Sequence, residues 1–494
     1  MSSNKLIAVA AVTTFLYFLG TLAYHLIYNP LRSFKGPWYT KFTKLPWTYH
    51  SLIGDVHAWV GQLHEEYGEI VRVAPDQLSF TSSQAWPDIY GNNLPKDLGK
   101  RLKEVNGVAN ILIAEDPAHR RMRKLISPAF SDKALIAQEP LLVSYIDKLI
   151  SVLTERVLES PTGIVNIVQW YNYTAFDILG ELALGQSFGG LDTPRDGGGL
   201  HPWISSITGL LKNSLFHRVG NEHAWPLRKL IHKLAPKKGL KDRGTNFNYS
   251  VQAVQKRLAQ SNTDRVDFFS YLSDDKEGYS NLRLTTGELI SNASFFVLTG
   301  SETISTFFSG TTYHLLTNPH HLHRLTNLLR TTFSTPESMN IHNLSKLTYL
   351  NAVIKEGLRV YPPAPAGFPR VTTAYGNMIC GRYVPPNTVV IVTNWAASFS
   401  ARNHTHPLKF APERWEGAAE YAGDDRKACQ PFSFGPRNCI AQSLANAEMR
   451  LVLARILWAF DLELQPESKN WMDQRAFALW EKPALMVKIT PRKF

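Results

Sequence analysis

The chain has 494 residues, 44% of them hydrophobic and 19% charged, which excludes a disordered chain and exceeds what one small core needs. Three cysteines, Cys380, Cys429 and Cys439, exclude a disulfide framework and suit a reducing compartment. The formal net charge of +12 comes without zinc-knuckle spacing or a basic-aromatic array, which leaves an anionic membrane surface or an acidic protein as partner rather than nucleic acid.

The first predicted element is a membrane anchor. Leu6 to Tyr28 is a run of 23 residues without Asp, Glu, Lys or Arg. As a helix it would measure about 35 Å, enough for the ~30 Å hydrocarbon layer. Tyr17, Tyr24 and Tyr28 suit interfacial contact, although Tyr17 falls near mid-span. A cleaved signal peptide is the alternative, but its apolar stretch is usually shorter, and no small-residue cleavage site precedes Asn29-Pro30. Lys5 stands alone before the run, whereas Arg32, Lys35, Lys41 and Lys44 follow it, so the positive-inside rule puts the remainder in the cytoplasm. The division expected is an anchor over 1–28, a proline-containing linker over 29–45 and a catalytic domain over 46–494.

Beyond the linker, Glu69 to Val73 and Gln77 to Thr81 alternate around Ala74-Pro75-Asp76, the pattern of a β-hairpin. Helical periodicity covers Leu141 to Leu158, Thr174 to Leu184, Val251 to Leu258 and a long stretch from Thr285 past Leu316. Gly197 to Gly199 and Pro236 to Gly239 read as surface loops, and a second strand-rich patch runs from Tyr375 to Val392. The fold class is therefore mainly α with a smaller β region.

Chemistry concentrates in Phe432-Ser433-Phe434-Gly435-Pro436-Arg437-Asn438-Cys439-Ile440-Ala441. A cysteine that ligates haem iron must be a thiolate, supported by hydrogen bonds and sheltered from water. Gly435 permits a tight turn and Pro436 stiffens it. Arg437 offers a guanidinium to an anionic propionate, Phe432 can cover a ring face, and small Ala441 lets the next helix approach closely. A buried structural cysteine after a turn is the bland alternative. The segment resembles the haem-thiolate signature of the cytochrome P-450 family, F-x-x-G-x-R-x-C-x-G, with Ala441 in place of the last glycine. The resemblance implies haem as cofactor, Cys439 as axial iron ligand, and the P-450 fold after one transmembrane helix.

Other segments extend the resemblance. Thr299-Gly300-Ser301-Glu302-Thr303 sets a glycine, an acid and hydroxyls inside a long apolar helix, a local violation of helix preference that tends to mark function. Alone, it reads as a helix whose Thr303 bonds back to a carbonyl. It is similar to the family's A-G-x-[DE]-T segment, with Thr299 where alanine is usual. The resemblance gives Gly300 the role of leaving room, Thr303 that of hydrogen-bonding dioxygen and Glu302 that of feeding protons. Glu356 and Arg359 share a helix face at i, i+3 and alone would be a surface pair of little worth. They resemble the E-x-x-R motif, with Arg414 of Pro412-Glu413-Arg414-Trp415 as third member of a buried structural triad. His119 and Arg123 resemble W-x-x-x-R, with His119 replacing tryptophan, and Arg370 resembles a further propionate-binding arginine. Arg120, Arg121 and Lys124 are expected to form a docking surface for an acidic reductase.

Tyr28 to Leu31, Val73 to Phe80 and Ala85 to Gly91 resemble filamentous-fungal members, many of which oxidise terpenoid or polyketide intermediates of secondary metabolism. The activity implied is insertion of one atom of O₂ into a hydrophobic small molecule. Electrons would come from NADPH through a separate cytochrome P-450 reductase, with cytochrome b5 as a second donor, since the chain carries no flavin or dinucleotide motif. A substrate pocket is expected from Ile111, Leu112, Phe295, Phe296, Ala364, Phe368, Phe477 and Leu479, on a protein held at the endoplasmic reticulum membrane. A haem-thiolate isomerase or dehydratase that does not use O₂ and a non-catalytic haem sensor are the competing readings.

Overall fold

A computed structural model describes residues 12–13, 16, 19–20, 23–97, 106–160, 162–192, 202–259, 267–268 and 283–492. Most of the expected anchor, with Lys5 and Tyr17, lies outside them, as does the expected loop Gly197 to Gly199. Among the described residues no helix is long and apolar enough to cross a membrane. The chain divides into two compact units.

Unit 1 comprises residues 1–98, 366–407 and 425–437 and holds most of the β structure near the signature loop. Its four-stranded sheet runs in the order Ile70–Ala74, Gln77–Phe80, Val389–Val392, Arg370–Val371, and Asn377–Ile379 pairs with Arg382–Val384 beside it. The expected hairpin is present, with Ile70 opposite Phe80 and a register shift between Arg72 and Ala74. Alternation of apolar and polar residues made it legible, although the fold buries both faces of the pair. The stretch read as a linker is packed in: Leu31 and Phe34 join the cluster of Leu78, Phe80, Trp86 and Val390, and Thr40 donates to the carbonyl of Arg72 at 2.9 Å.

Unit 2 comprises residues 99–365, 408–424 and 438–494. Five of its helices matter here: α1 (Asp116–Ile126), α2 (Ile167–Leu184), α3 (Thr286–Leu316), α4 (Thr348–Val360) and α5 (Gln442–Ala459). The start of α3 is fixed by a capping box, in which the Thr285 hydroxyl accepts from the Glu288 amide and the Glu288 carboxylate accepts from the Thr285 amide. Helix α3 packs on α2 and α4 through missing side chains. A Cβ on Gly310 would fall 2.1 Å from the Tyr361 ring, and one on Gly357 would fall 2.2 Å from the Thr311 hydroxyl. Pro236 to Gly239, expected as a loop, instead opens the helix Lys237–Ala259. Its glycine serves close packing rather than a turn: a Cβ on Gly239 would lie 2.3 Å from the carbonyl oxygen of Gly209, on the helix Pro202–Gly220.

Buried in α5 is Glu448, 1% exposed, whose Oε1 finds no hydrogen-bond partner within the described structure. Burial alone pushes its carboxyl up to about 8. In the unfolded chain the group titrates near about 4.3, so between these values the native state holds a proton that the unfolded state has lost. Stability is therefore highest below the unfolded value and declines as pH rises through the native one. Glu448→Gln should abolish this decline and gain roughly 3–5 kcal/mol on the wild type between pH 5 and 8. Urea unfolding of both proteins across that range checks it; a pH-independent difference would mean that the carboxyl is solvated.

Candidate active site

The signature loop starts in unit 1. Its backbone takes φ of +62° at Ser433 and +75° at Gly435. The glycine is obligatory for space as well as conformation, since a Cβ there would stand 2.2 Å from the carbonyl oxygen of Tyr90. Tyr90 belongs to the helical turn Trp86–Gly91, which anchors the loop's underside. Its hydroxyl donates to the carbonyl of Phe368 at 2.8 Å and accepts from the amide of Val392 at 3.2 Å, and Trp86 donates to the carbonyl of Ala428 at 3.0 Å. The stretch Ala85 to Gly91 is thus the prop of the loop. Phe432 and Arg437 are half-buried here, and Arg370 is 2% exposed, with its guanidinium 5.4 Å from the Tyr90 ring centroid.

Cys439 opens the last segment of unit 2, two residues before Ala441 caps α5. The neighbouring peptide is clamped by Arg123 of α1, which donates to the carbonyl of Asn438 at 2.8 Å and to its side-chain oxygen at 2.6 Å. The pairing of Arg123 with Asn438 was not legible in the sequence, where Arg123 was read as a propionate ligand alone. His119, one turn earlier, is 5% exposed. The Cys439 side chain is accessible, yet desolvation by the surrounding protein raises its pKa, against the Ala441 amide and the Arg123 charge, which lower it. Accessibility describes the sulfur's open side and desolvation the protein packed behind it, so the two agree.

Arg121 corrects the expected docking surface. It pairs with Glu288 and donates to the carbonyl of Arg283 at 3.0 Å, tying α1 to the start of α3. Arg120 and Lys124 are exposed.

The middle of α3 is partly exposed from Leu298 to Gly300 and again, to a small extent, at Glu302 and Thr303, while Ile304 to Tyr313 is buried throughout. Thr299 donates to the carbonyl of Phe295 and Thr303 to that of Thr299, each at 2.7 Å. Thr303 therefore makes the local back-bond, which leaves its lone pairs as acceptors. Gly300 departs from its expected role: its absent Cβ is displaced by Leu179 of α2, 2.8 Å from where that atom would be, so the glycine serves helix packing. Glu302 forms an ion pair with Lys482, a residue the sequence reading missed.

Glu356, Arg359 and Arg414 lie together, each wholly buried. Arg359 donates to both carboxylate oxygens at 2.9 and 2.7 Å, and Arg414 to one of them at 3.1 Å. The amide of Ala411 and the indole of Trp415 complete the carboxylate's shell at 2.8 Å each, and Arg414 also pairs with Asp424. Burial would raise the Glu356 carboxyl, but Arg359, Arg414 and the Ala411 amide outweigh it and hold the group below its usual range. Trp415 and Asp424 are members that the sequence reading missed.

The expected pocket residues divide. Phe368 lies in unit 1, 39% exposed; the other seven lie in unit 2. Ile111 is buried and its amide donates to the Asn292 side chain of α3 at 2.9 Å. Phe296 stands edge-on to Phe268 and Phe130, Phe295 is half-exposed beside it, and Leu112, Ala364 and Leu479 are half-buried. Phe477 is 4% exposed, with the Lys212 ammonium 4.1 Å from its ring centroid.

These residues fit haem on two counts. The sulfur is accessible and flanked by an amide and a guanidinium that favour its anion, and a coordinated thiol is deprotonated outright. The central helix also keeps Leu298 to Gly300, Glu302 and Thr303 partly exposed, next to the wholly buried stretch Ile304 to Tyr313. The class so defined is a haem-thiolate protein. The chain belongs to the cytochrome P450 family, whose sequence model matches residues 36–488. It is 39% identical to the cytochrome P450 monooxygenase efuB of Hormonema carpetanum, over 97% of this chain and 95% of that one. It is 40% identical to the averantin hydroxylase of Dothistroma septosporum (97% and 90%) and 38% to the cytochrome P450 monooxygenase stcF of Emericella nidulans (97% and 98%). The chain is a haem-thiolate monooxygenase, acting with O₂ and a redox partner.

Proposed function

We propose that this monooxygenase hydroxylates, epoxidises or further oxidises a terpenoid or polyketide intermediate of fungal secondary metabolism, with electrons from an NADPH-cytochrome P450 reductase. The observation that carries the reading is the half-exposed centre of α3, where Phe295, Phe296 and Leu298 adjoin Glu302 and Thr303. An apolar, partly aromatic surface beside one acid and one hydroxyl suits a hydrophobic molecule held where a proton is needed. Haem bound through Cys439 supplies the activation of O₂. His119, Arg123, Arg370 and Arg437 hold the propionates in this reading, and Phe432 covers the ring. Thr303 presents its lone pairs to a water or a protonated oxygen, and Glu302 takes protons from solvent and passes them on.

The protein acts at the endoplasmic reticulum membrane in this reading. Besides the apolar run at 6–28, Trp225, Leu230, Leu234 and Leu240 are exposed by 52–72%, among the exposed cations Arg228, Lys229, Lys233, Lys237 and Lys238. Apolar side chains interleaved with cations are the composition of a face that rests on anionic lipid.

One reconstitution in reductase-containing vesicles tests these assignments. Product formed, NADPH consumed and peroxide released are measured for the wild type, Thr303→Ala and a chain lacking residues 1–28. Thr303→Ala should keep haem and substrate binding while product per NADPH falls severalfold and peroxide rises; unchanged coupling removes Thr303 from proton handling. The truncated chain should bind vesicles less tightly, and binding of unchanged strength in high salt removes the anchor as main attachment.

A further inference from the structure

Lys482 follows the strand Leu479–Glu481, which pairs with Arg475–Phe477. Its side chain is 3% exposed. The ammonium has three protons, and three acceptors meet it, all on α3: the Glu302 carboxylate, the Thr306 hydroxyl at 2.8 Å and the Ser305 hydroxyl at 3.4 Å. Glu302 is itself only 14% exposed. An ion pair so enclosed costs desolvation of both partners and is weak evidence of a contribution to stability. Its position, on the one acid of the half-exposed segment, gives it another use.

We propose that Lys482 is a positioning residue that stabilises the carboxylate Glu302 leaves behind whenever it gives up a proton. The inference rests on the proton-relay reading of Glu302. In each cycle the Glu302 carboxylate takes a proton from a solvent hydronium ion and releases water; the carboxyl O–H bond then breaks, and the proton passes to the oxygen being reduced, whose electrons come from the reductase. No electron moves through the pair. Without Lys482, that last step would create an unpaired anion in a desolvated place, so the acid would hold its proton and donate slowly. Lys482 is set by the C-terminal strand pair rather than by α3, so the partner of this carboxylate comes from a segment remote in sequence.

The test compares wild type, Glu302→Gln and Lys482→Met as haem-loaded proteins with reductase. Lys482→Met should lower product per NADPH by about tenfold, a partial loss of the roughly 10²–10⁴-fold that a general acid contributes, and enlarge the solvent deuterium isotope effect on kcat while KM holds. A purely structural lysine would lower stability and leave the isotope effect unchanged, which would overturn the proposal. If Glu302→Gln leaves coupling intact, the relay reading itself fails; if Glu302→Gln uncouples and Lys482→Met does not, only the role of Lys482 fails. A readout independent of turnover is acylation of Lys482 by an amine-reactive ester, followed by mass spectrometry. Lys482 should be protected in the wild type and labelled in Glu302→Gln, and equal labelling would show that the carboxylate does not hold the ammonium. Should Lys482→Met fail to retain haem, Lys482→Gln, which keeps hydrogen-bonding groups without the charge, is expected to show the same uncoupling. Normal coupling in that variant overturns the proposal.

Discussion

Cys439→Ala is expected to eliminate the strongly red-shifted carbon-monoxide band of the reduced protein, with little change in the fold around the loop. The substitution removes the sulfur and leaves the supports of the loop in place. Arg123 still clamps the carbonyl and side chain of Asn438, and Gly435 still rests on the turn that carries Tyr90. The two other thiols cannot take over. Cys380 is held by burial at about 12, far from the thiolate form, and Cys429 stands outside the signature spacing that ends at Cys439. Cys380→Ala and Cys429→Ala should therefore keep the band. Its survival in Cys439→Ala would remove that residue as the iron ligand.

The second large effect is on folding. Arg359→Ala should lose roughly 3–5 kcal/mol, because it leaves Glu356 fully enclosed with half its compensation gone. Arg414 keeps one carboxylate oxygen, but Arg359 serves both and also reaches the carbonyl of Lys409 at 2.9 Å. Failure to retain haem, rather than slow turnover, is the expected phenotype, measured as haem content and urea midpoint of the purified protein. A haem-replete variant of wild-type stability would contradict the buried network. Glu356→Gln is the gentler companion: it keeps the shape and removes the anion that Arg359 and Arg414 share, while Arg414 keeps Asp424.

What was legible in the sequence had a local cause. The hairpin at Ile70 to Phe80 showed in the alternation on either side of one turn, and α3 begins at Thr285 because its first amides need a cap. Glu356 and Arg359 were visible because i and i+3 share a helix face. Thr303's back-bond to Thr299 was likewise foreseeable from helix geometry. The illegible features join distant segments. Lys482 meets Glu302 across 180 positions, and no local pattern announces it. Gly239 misled because a glycine beside Pro236 and two lysines suggests a turn, whereas this one makes room for a neighbouring backbone. Gly300 misled in the same way: its space is taken by Leu179 rather than left open.

The contact at Gly239 also constrains how the molecule can move. The helices Pro202–Gly220 and Lys237–Ala259 meet backbone against side-chain-free backbone, and Asp242 fills the notch at Gly209. Asn213 further ties the first helix to the carbonyl of Pro236 at 3.1 Å, at the entry to the second. Sliding one helix past the other would drive a side chain into a carbonyl, so shear between them is blocked. Any displacement of one helix must therefore carry the other with it as a single rigid unit.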